Sequence, residues 1–365
     1  MMCRTYKYIA AMFLALMLAL MQSCDVHEWP ETEYGDVEFY LELDFDTALP
    51  FYREVIYSRG ETTALDADIK ALRAAHDYRY IIGVYPAGSV RGSRASRAPV
   101  STFVFTKSSF SDLNHRVAVS LPEGEWDIYV WTDYVNSNSA DDKYYLTDDF
   151  SNISYTSPSA YEGSNECREA FRGHVAVNVT HPYRFMEGET LPSYTAVVPM
   201  KRPMGRYEFI STDVEEFIKR LDILSSRGDA TRGDIDSRSL SRADLEEFTV
   251  RFRYTAFMPS IYNVFSDKVI DSWTGITFES KMDVSDEGII MGFDHVLVTE
   301  NETIANVSCE VYNGAGQKIA STYSIEVPVA RSKNTVVRGE FLTSNSSGGV
   351  TVVPGYNGDY NIEIQ

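Results

Sequence analysis

Val37-Glu38-Phe39-Tyr40-Leu41-Glu42-Leu43-Asp44-Phe45 is the stretch that decides the fold. Val37, Phe39, Leu41, Leu43 and Phe45 alternate with Glu38, Tyr40, Glu42 and Asp44. A side-chain period of two buries one face of a strand and wets the other. Working outward, the signature recurs along the chain. Strands are expected over 78–85, closed by Pro86-Ala87-Gly88, and over 101–106, 116–121 and 126–135, with Glu123-Gly124 as the turn before the last. Val175, Val177 and Val179 alternate before His181-Pro182, and further strands are expected over 194–200 and 205–210. Beyond them come 248–256, 275–279, 288–298, 305–312, 322–327, 335–341, 349–353 and, after the turn Pro354-Gly355, 360–364. Many short strands separated by turn residues predict a mainly β protein built of sandwiches, with few short helices.

Two segments depart from this pattern. Residues 65–75 carry Ile69 and Leu72 at helical spacing. Residues 212–221 carry a fuller signature, with Thr212 as cap, Glu215 three residues on, and Val214, Phe217, Ile218 and Leu221 on one face. The run 225–242 is dominated by Ser, Arg, Gly and Asp, cannot bury much, and is expected to be a flexible loop. A domain boundary is expected near Lys201-Arg202-Pro203, giving an N-terminal domain over 37–200 and a C-terminal one over 201–365.

The N-terminus reads as an address. Arg4 and Lys7 precede an apolar run from Ile9 to Met21, followed by Gln22-Ser23-Cys24 and then polar, acidic sequence. That is the layout of a secretory signal over 1–23, with a Cys after a small residue as in a bacterial lipoprotein. Cys24 is the expected lipidation site, with diacylglycerol on the thiol and an acyl chain such as palmitate on the new amine. Each buried methylene contributes about 0.8 kcal/mol, and stable anchoring takes more than one chain. The expectation is therefore a protein held to a membrane surface by its acyl chains, with 24–36 as a tether. The apolar run is short for a span of about 20 residues, which ranks lipidation above a spanning helix and above an ordinary cleaved signal.

Composition narrows the function. From Cys24 onward, 31 basic residues face 53 acidic ones, a net charge of −22. Nucleic-acid binding needs clustered cations and is not expected. The acyl chains are the expected membrane contact. Cys167 and Cys309 fall in different expected domains and are not expected to pair. None of the six histidines sits in a metal-binding spacing, and no nucleophile elbow or glycine-rich phosphate loop is present. No catalytic residue, metal or cofactor is assigned. Asp141, Asp142, Asp148 and Asp149 do not match an EF-hand loop and read as a solvated acidic loop. Two Arg-Gly-Asp tripeptides, at 227–229 and 232–234, lie in a run composed of little else and read as composition.

Several segments resemble the fimbrillin-like surface lipoproteins of Gram-negative gut and oral anaerobes, the type V pilus subunits and related two-domain proteins. They are Tyr80-Ile81-Ile82-Gly83-Val84-Tyr85, Gly124-Glu125-Trp126-Asp127-Ile128-Tyr129-Val130-Trp131-Thr132-Asp133-Tyr134, and Val198-Pro199-Met200-Lys201-Arg202-Pro203 with Gly205-Arg206-Tyr207-Glu208-Phe209. The C-terminal mark is Val327-Pro328-Val329-Ala330-Arg331 followed by Thr335-Val336-Val337-Arg338-Gly339-Glu340-Phe341-Leu342-Thr343. These motifs are structural, and core packing accounts for Trp126, Trp131 and Tyr134.

The resemblance implies two tandem β-sandwich domains of transthyretin-like topology. It also implies an outer membrane lipoprotein, cell-surface exposed or fimbrial, that is a non-enzymatic fimbrial subunit, anchor or adhesion protein and acts by β-strand exchange with other fimbrial subunits. An Arg-specific protease would cut at Arg53 or Arg59 and release the first strand, with Val37, Phe39, Leu41, Leu43 and Phe45 as its inward residues. The emptied slot would take a strand from a neighbour, with Tyr360, Ile362 and Ile364 as the candidate donor. If the first strand is never removed, the chain is a stationary anchor. The alternative class is a glycan-binding surface lipoprotein of a nutrient-uptake system. An outward aromatic platform would favour it, and burial of Trp126, Trp131 and Trp273 would weigh against it. A host receptor or glycan is the candidate adhesion target.

Overall fold

The structure, a computed structural model, describes residues 35–46, 75–96, 98–108, 114–182, 194–225, 242–285, 288–300, 302–343, 350–353 and 359–364. Strand β1 (Val37–Phe45) has its five apolar residues buried, while Glu38, Glu42 and Asp44 face water. It is followed by β2 (His76–Pro86), β3 (Val90–Arg91), β4 (Arg94–Ala95), β5 (Ser101–Lys107), β6 (Asn114–Leu121), β7 (Gly124–Asn136), β8 (Tyr145–Leu146) and β9 (Ile153–Tyr155). Then come β10 (Ala170–Val179) and β11 (Thr195–Lys201). The larger strands form one seven-stranded sheet in the order β5-β2-β7-β10-β11-β1-β6. β10 and β11 pair only through Arg172↔Lys201 and Gly173↔Met200, so the sheet turns a corner there and its two arms close over a shared core. Gly173 permits the crossing: a Cβ at that position would lie 2.4 Å from the Met200 sulfur. Across the core the Phe45 and Phe171 rings meet edge to face at 5.0 Å.

The second half begins with β12 (Met204–Ser211), α1 (Val214–Ser225), α2 (Arg242–Leu245), β13 (Thr249–Tyr254), β14 (Met258–Asn263), β15 (Lys268–Trp273), β16 (Thr277–Ser280) and β17 (Asp283–Ser285). It ends with β18 (Gly288–Leu297), β19 (Glu302–Tyr312), β20 (Lys318–Ser321), β21 (Ile325–Ala330), β22 (Asn334–Gly339), β23 (Val350–Val353) and β24 (Asp359–Ile364). One sheet runs β17-β18-β12-β22-β24-β23, and a second runs β16-β13-β19-β20 with β21 also on β19. Their inner faces meet through Phe209 and Phe252, 5.5 Å apart. The chain is therefore mainly β, with sheets packed face to face.

The two halves repeat one pairing scheme. β1 lies antiparallel to β6 and parallel to β11, and β12 lies antiparallel to β18 and parallel to β22. The sheets of each half divide at Arg202-Pro203, except that a four-stranded sheet, β15-β14-β9-β8, takes two strands from each side. Val37–Gln365 forms one compact unit.

Three local expectations are corrected. The helix starts at Val214, and Thr212 does not cap it, because its hydroxyl donates to Gly339 O at 3.3 Å. Asp213 sits at the helix start instead, but its carboxylate accepts from Leu342 N at 3.2 Å and Thr343 N at 2.7 Å. Phe217 and Ile218 are buried as expected. The strand expected over 322–327 starts at Ile325, because Thr322 turns its hydroxyl back to accept from Cys309 N at 2.9 Å. The β14–β15 hairpin was not anticipated. Met258-Pro259-Ser260-Ile261-Tyr262-Asn263 is buried on both faces and shows no alternation. Cys167 and Cys309 are free, buried thiols. All but the last residue of the helix expected over 65–75, and nearly all of 225–242, lie outside the described residues.

Candidate functional site

The site built around the first strand is a slot in the N-terminal sheet. β1 runs in register with β6 from Val37↔Leu121 to Asp44↔Asn114, and with β11 from Tyr40↔Thr195 to Phe45↔Met200. It is an interior strand, paired on both sides from Tyr40 to Asp44. Val37, Phe39, Leu41, Leu43 and Phe45 are all buried, with Leu41 fully covered. At roughly 1.5–3 kcal/mol per buried side chain, they contribute about 8–15 kcal/mol. That is comparable to the whole stability of a domain, about 5–15 kcal/mol. On the outer face Arg116 lies 3.9 Å from the Tyr40 ring centre, and Tyr40 OH donates to Glu38 at 2.6 Å.

The C-terminal end of β1 is fastened to both halves. Asp46 N donates to Met200 O at 2.8 Å, Arg202 Nη1 donates to Asp46 O at 2.7 Å, and Ser332 Oγ donates to the Asp46 carboxylate. Arg202 is fully buried, sits 4.7 Å over the Phe171 ring and donates through Nε to Glu169 at 2.5 Å. Nothing in the local sequence marks Asp46, Arg202 and Ser332 as partners, since Asp46 and Ser332 are 286 positions apart.

Next to this anchor lies a buried polar seam between the halves. Asp294 accepts from Arg168 Nη1 at 3.0 Å, Tyr161 OH at 2.6 Å and Tyr254 OH at 2.7 Å. Arg206 bridges Glu208 at 2.5 Å and Glu166 at 3.0 Å. Burial pushes the Asp294 carboxyl above its ordinary value against the pull of Arg168. Burial, reinforced by Arg206, Arg168 and Arg202, holds the His295 ring well below its ordinary value and so neutral. Burial likewise raises Asp133, which accepts from Arg79 at 2.9 and 2.7 Å. These perturbed groups are covered by protein and engaged by arginines, as structural ion pairs are.

The C-terminal strand β24 pairs within its own chain. Thr335↔Tyr360 and Val337↔Ile362 align it parallel to β22, and Val350↔Ile364 aligns it antiparallel to β23. The structure thus places the candidate donor on the second half's sheet and the candidate exchanged strand in the first, without bringing them together. Cys24, Arg53, Arg59 and both Arg-Gly-Asp tripeptides lie outside the described residues. The acidic loop does not gather: Asp142 accepts from Arg79 at 2.7 Å and Asp149 from Ser151. Among the described residues no group of three His, Cys, Asp or Glu side chains is placed to hold a metal ion, and no helix is long and apolar enough to cross a membrane. Trp131 is fully buried, while Trp126 and Trp273 are half-buried.

Sheets packed face to face around a caged first strand define a β-sandwich class of protein. Within it, the chain belongs to the family of unknown function DUF6562, whose profile matches residues 32–365. No curated protein matches. Similar solved structures include a candidate adhesin from Bacteroides ovatus, at 11% identity and TM-score 0.40 over 90% of this chain and 93% of that one. They also include candidate polysaccharide binding proteins from Bacteroides thetaiotaomicron, at 9% and 0.39 over 78% and 80%. The fimbrial anchor protein Mfa2 from Porphyromonas gingivalis is similar at 10% and 0.36 over 78% and 82%. Likenesses this distant transfer neither a residue role nor a ligand to this chain.

Proposed function

We propose that this chain is a non-enzymatic, lipid-anchored cell-surface protein that serves as a fimbrial subunit or anchor and joins its partners by exchange of β-strands. The observation that carries this reading is the position of β1. It is the first strand of the fold, it is caged between β6 and β11, and its burial rivals the stability of a domain. A cut at Arg53 or Arg59 falls after β1 in the chain and would leave that strand held without a covalent link. Once β1 leaves, β6 and β11 present unpaired backbone rows flanking an apolar slot, which an added strand fills with ladder hydrogen bonds and alternate side chains. β24 supports the donor role: like β1, it has one parallel and one antiparallel neighbour. An uncut chain keeps β1 and stays where Cys24 anchors it. The test is the double variant Arg53→Ala with Arg59→Ala, expressed at the native cell surface. Loss of the shortened form and of assembly is expected. Assembly equal to the parent's would refute the cleavage step.

A further inference from the structure

The outward face of β2 carries a second site. There the chain leaves a groove of about 640 Å³, within the roughly 300–1,000 Å³ usual for ligand pockets. Ile81 and Gly83 of β2 and Thr102 of the edge strand β5 line it, with Gly83 and Thr102 in register. Gly83 has a specific task. A Cβ there would lie 2.9 Å from Tyr85 Cε2 and 3.3 Å from Phe150 Cε2, so the missing side chain lets both rings lie against the strand. Phe265, from the β14–β15 turn, completes the aromatic set, edge to face with Tyr85 at 5.2 Å.

The groove is preformed. Asn263, 1% exposed, donates from Nδ2 to Ser93 O at 2.7 Å and to Ser151 O at 2.8 Å, tying loops on both sides of the groove to one side chain of β14. Asp149 fixes its own loop by accepting from Ser151 N at 2.8 Å and Ser151 Oγ at 2.6 Å. Other polar groups of the lining are not engaged in this way. Tyr85 is only 7% exposed, yet its hydroxyl makes no hydrogen bond among the described residues. The Arg94 guanidinium and the Asp148 carboxylate also lack partners among the described residues. The Tyr85 hydroxyl is not sealed in the core but open at the groove, where water or a ligand hydroxyl can meet it.

Tyr85, Phe150 and Phe265 are each more than nine-tenths buried and form the packed floor of the groove, and the free hydroxyl, guanidinium and carboxylate groups along it match an uncharged ligand with a rim of hydroxyls. Two carboxylates at the mouth, on a strongly acidic chain, disfavour phosphorylated, sulfated or uronic ligands, and Arg94 disfavours cations. We propose that this groove binds a neutral oligosaccharide seated on the floor that Tyr85, Phe150 and Phe265 close, with the Tyr85 hydroxyl, Arg94 and Asp148 bonding its hydroxyl groups. Nothing in this assignment depends on strand exchange, since β1 and β24 contribute no residue to the groove.

The test is full-length protein in detergent, applied to an array of neutral plant and host oligosaccharides and then titrated calorimetrically with those that bind. Thr102→Trp fills the groove from an exposed position, and Asp148→Ala removes one hydrogen-bonding group. Saturable binding by the parent is expected, weakened at least tenfold in the first variant and severalfold in the second, with unchanged thermal midpoints. The Arg53→Ala, Arg59→Ala protein should bind as the parent does, which separates this result from any failure of assembly. The proposal is overturned if no neutral oligosaccharide binds saturably, if only acidic glycans or peptides bind, or if a Thr102→Trp protein of normal midpoint binds as tightly as the parent. Should that variant fold poorly, unchanged affinity in Asp148→Ala overturns it.

Discussion

Replacing Leu41 by Ala probes how much of the fold rests on its first strand. Leu41 is fully covered, at the middle of β1, opposite Val117 of β6 and Ala196 of β11. Because strands hold it on both sides, the backbone cannot close over the lost atoms, and a cavity remains. Leu→Ala changes at buried sites cost about 2–5 kcal/mol, with rigid surroundings at the upper end. We therefore expect about 3–5 kcal/mol, against a total of about 5–15 kcal/mol for a domain. The assay is equilibrium urea denaturation followed by far-ultraviolet circular dichroism and tryptophan fluorescence, with Glu42→Ala as the companion. Glu42 faces water in the same strand, and such surface changes stay within about 0.5 kcal/mol. The expected result is a large drop in midpoint at unchanged slope for the first and almost none for the second. A Leu41→Ala loss below about 1 kcal/mol, or equal losses in the two variants, would refute the claim that β1 is a main support of the fold.

Two further outcomes follow from the buried polar groups. Arg168→Met leaves the Asp294 carboxylate buried without its cation and should cost about 3–5 kcal/mol in the same denaturation assay. Adding Asp294→Asn should restore most of it; an additive double loss would contradict the pairing. Alkaline pH should unfold the protein cooperatively. Burial raises Tyr78, Tyr145, Tyr161, Tyr207 and Tyr254 well above their ordinary value, and Tyr85 and Tyr155 to about 12. Since these folded values exceed the unfolded value near 10, their contribution is complete below about pH 10 and lost as pH rises through the folded values. Tyrosinate absorbance at 295 nm should then rise together with loss of ellipticity, whereas gradual ionisation of a still-folded chain would contradict this.

The strand content was legible because alternation is a local signal: Val37 to Phe45 names its buried residues without any structure. β2 was legible as a strand, but the cover over its outer face was not. Arg79 and Tyr85 are engaged by groups that arrive from residues 133–142 and 265. The β14–β15 hairpin was missed because burial on both faces erases the alternation, and with it went Asn263 and Phe265, which build the groove. The seam was illegible for a related reason. Arg168 meets Asp294 across 126 positions, and in a chain this rich in carboxylates no spacing distinguishes a buried acid from a solvated one. Both strands assigned to exchange were legible as strands, and each is paired within this chain, β1 with β6 and β11 and β24 with β22 and β23.

The central claim, that the slot of β1 is vacated and refilled during assembly, is tested most directly by mass spectrometry of the N-terminus of protein recovered from assembled surface fibres. The account predicts chains beginning at Glu54 or Gly60, immediately after Arg53 or Arg59. Fibre subunits that still begin at an acylated Cys24 and retain β1 would contradict it.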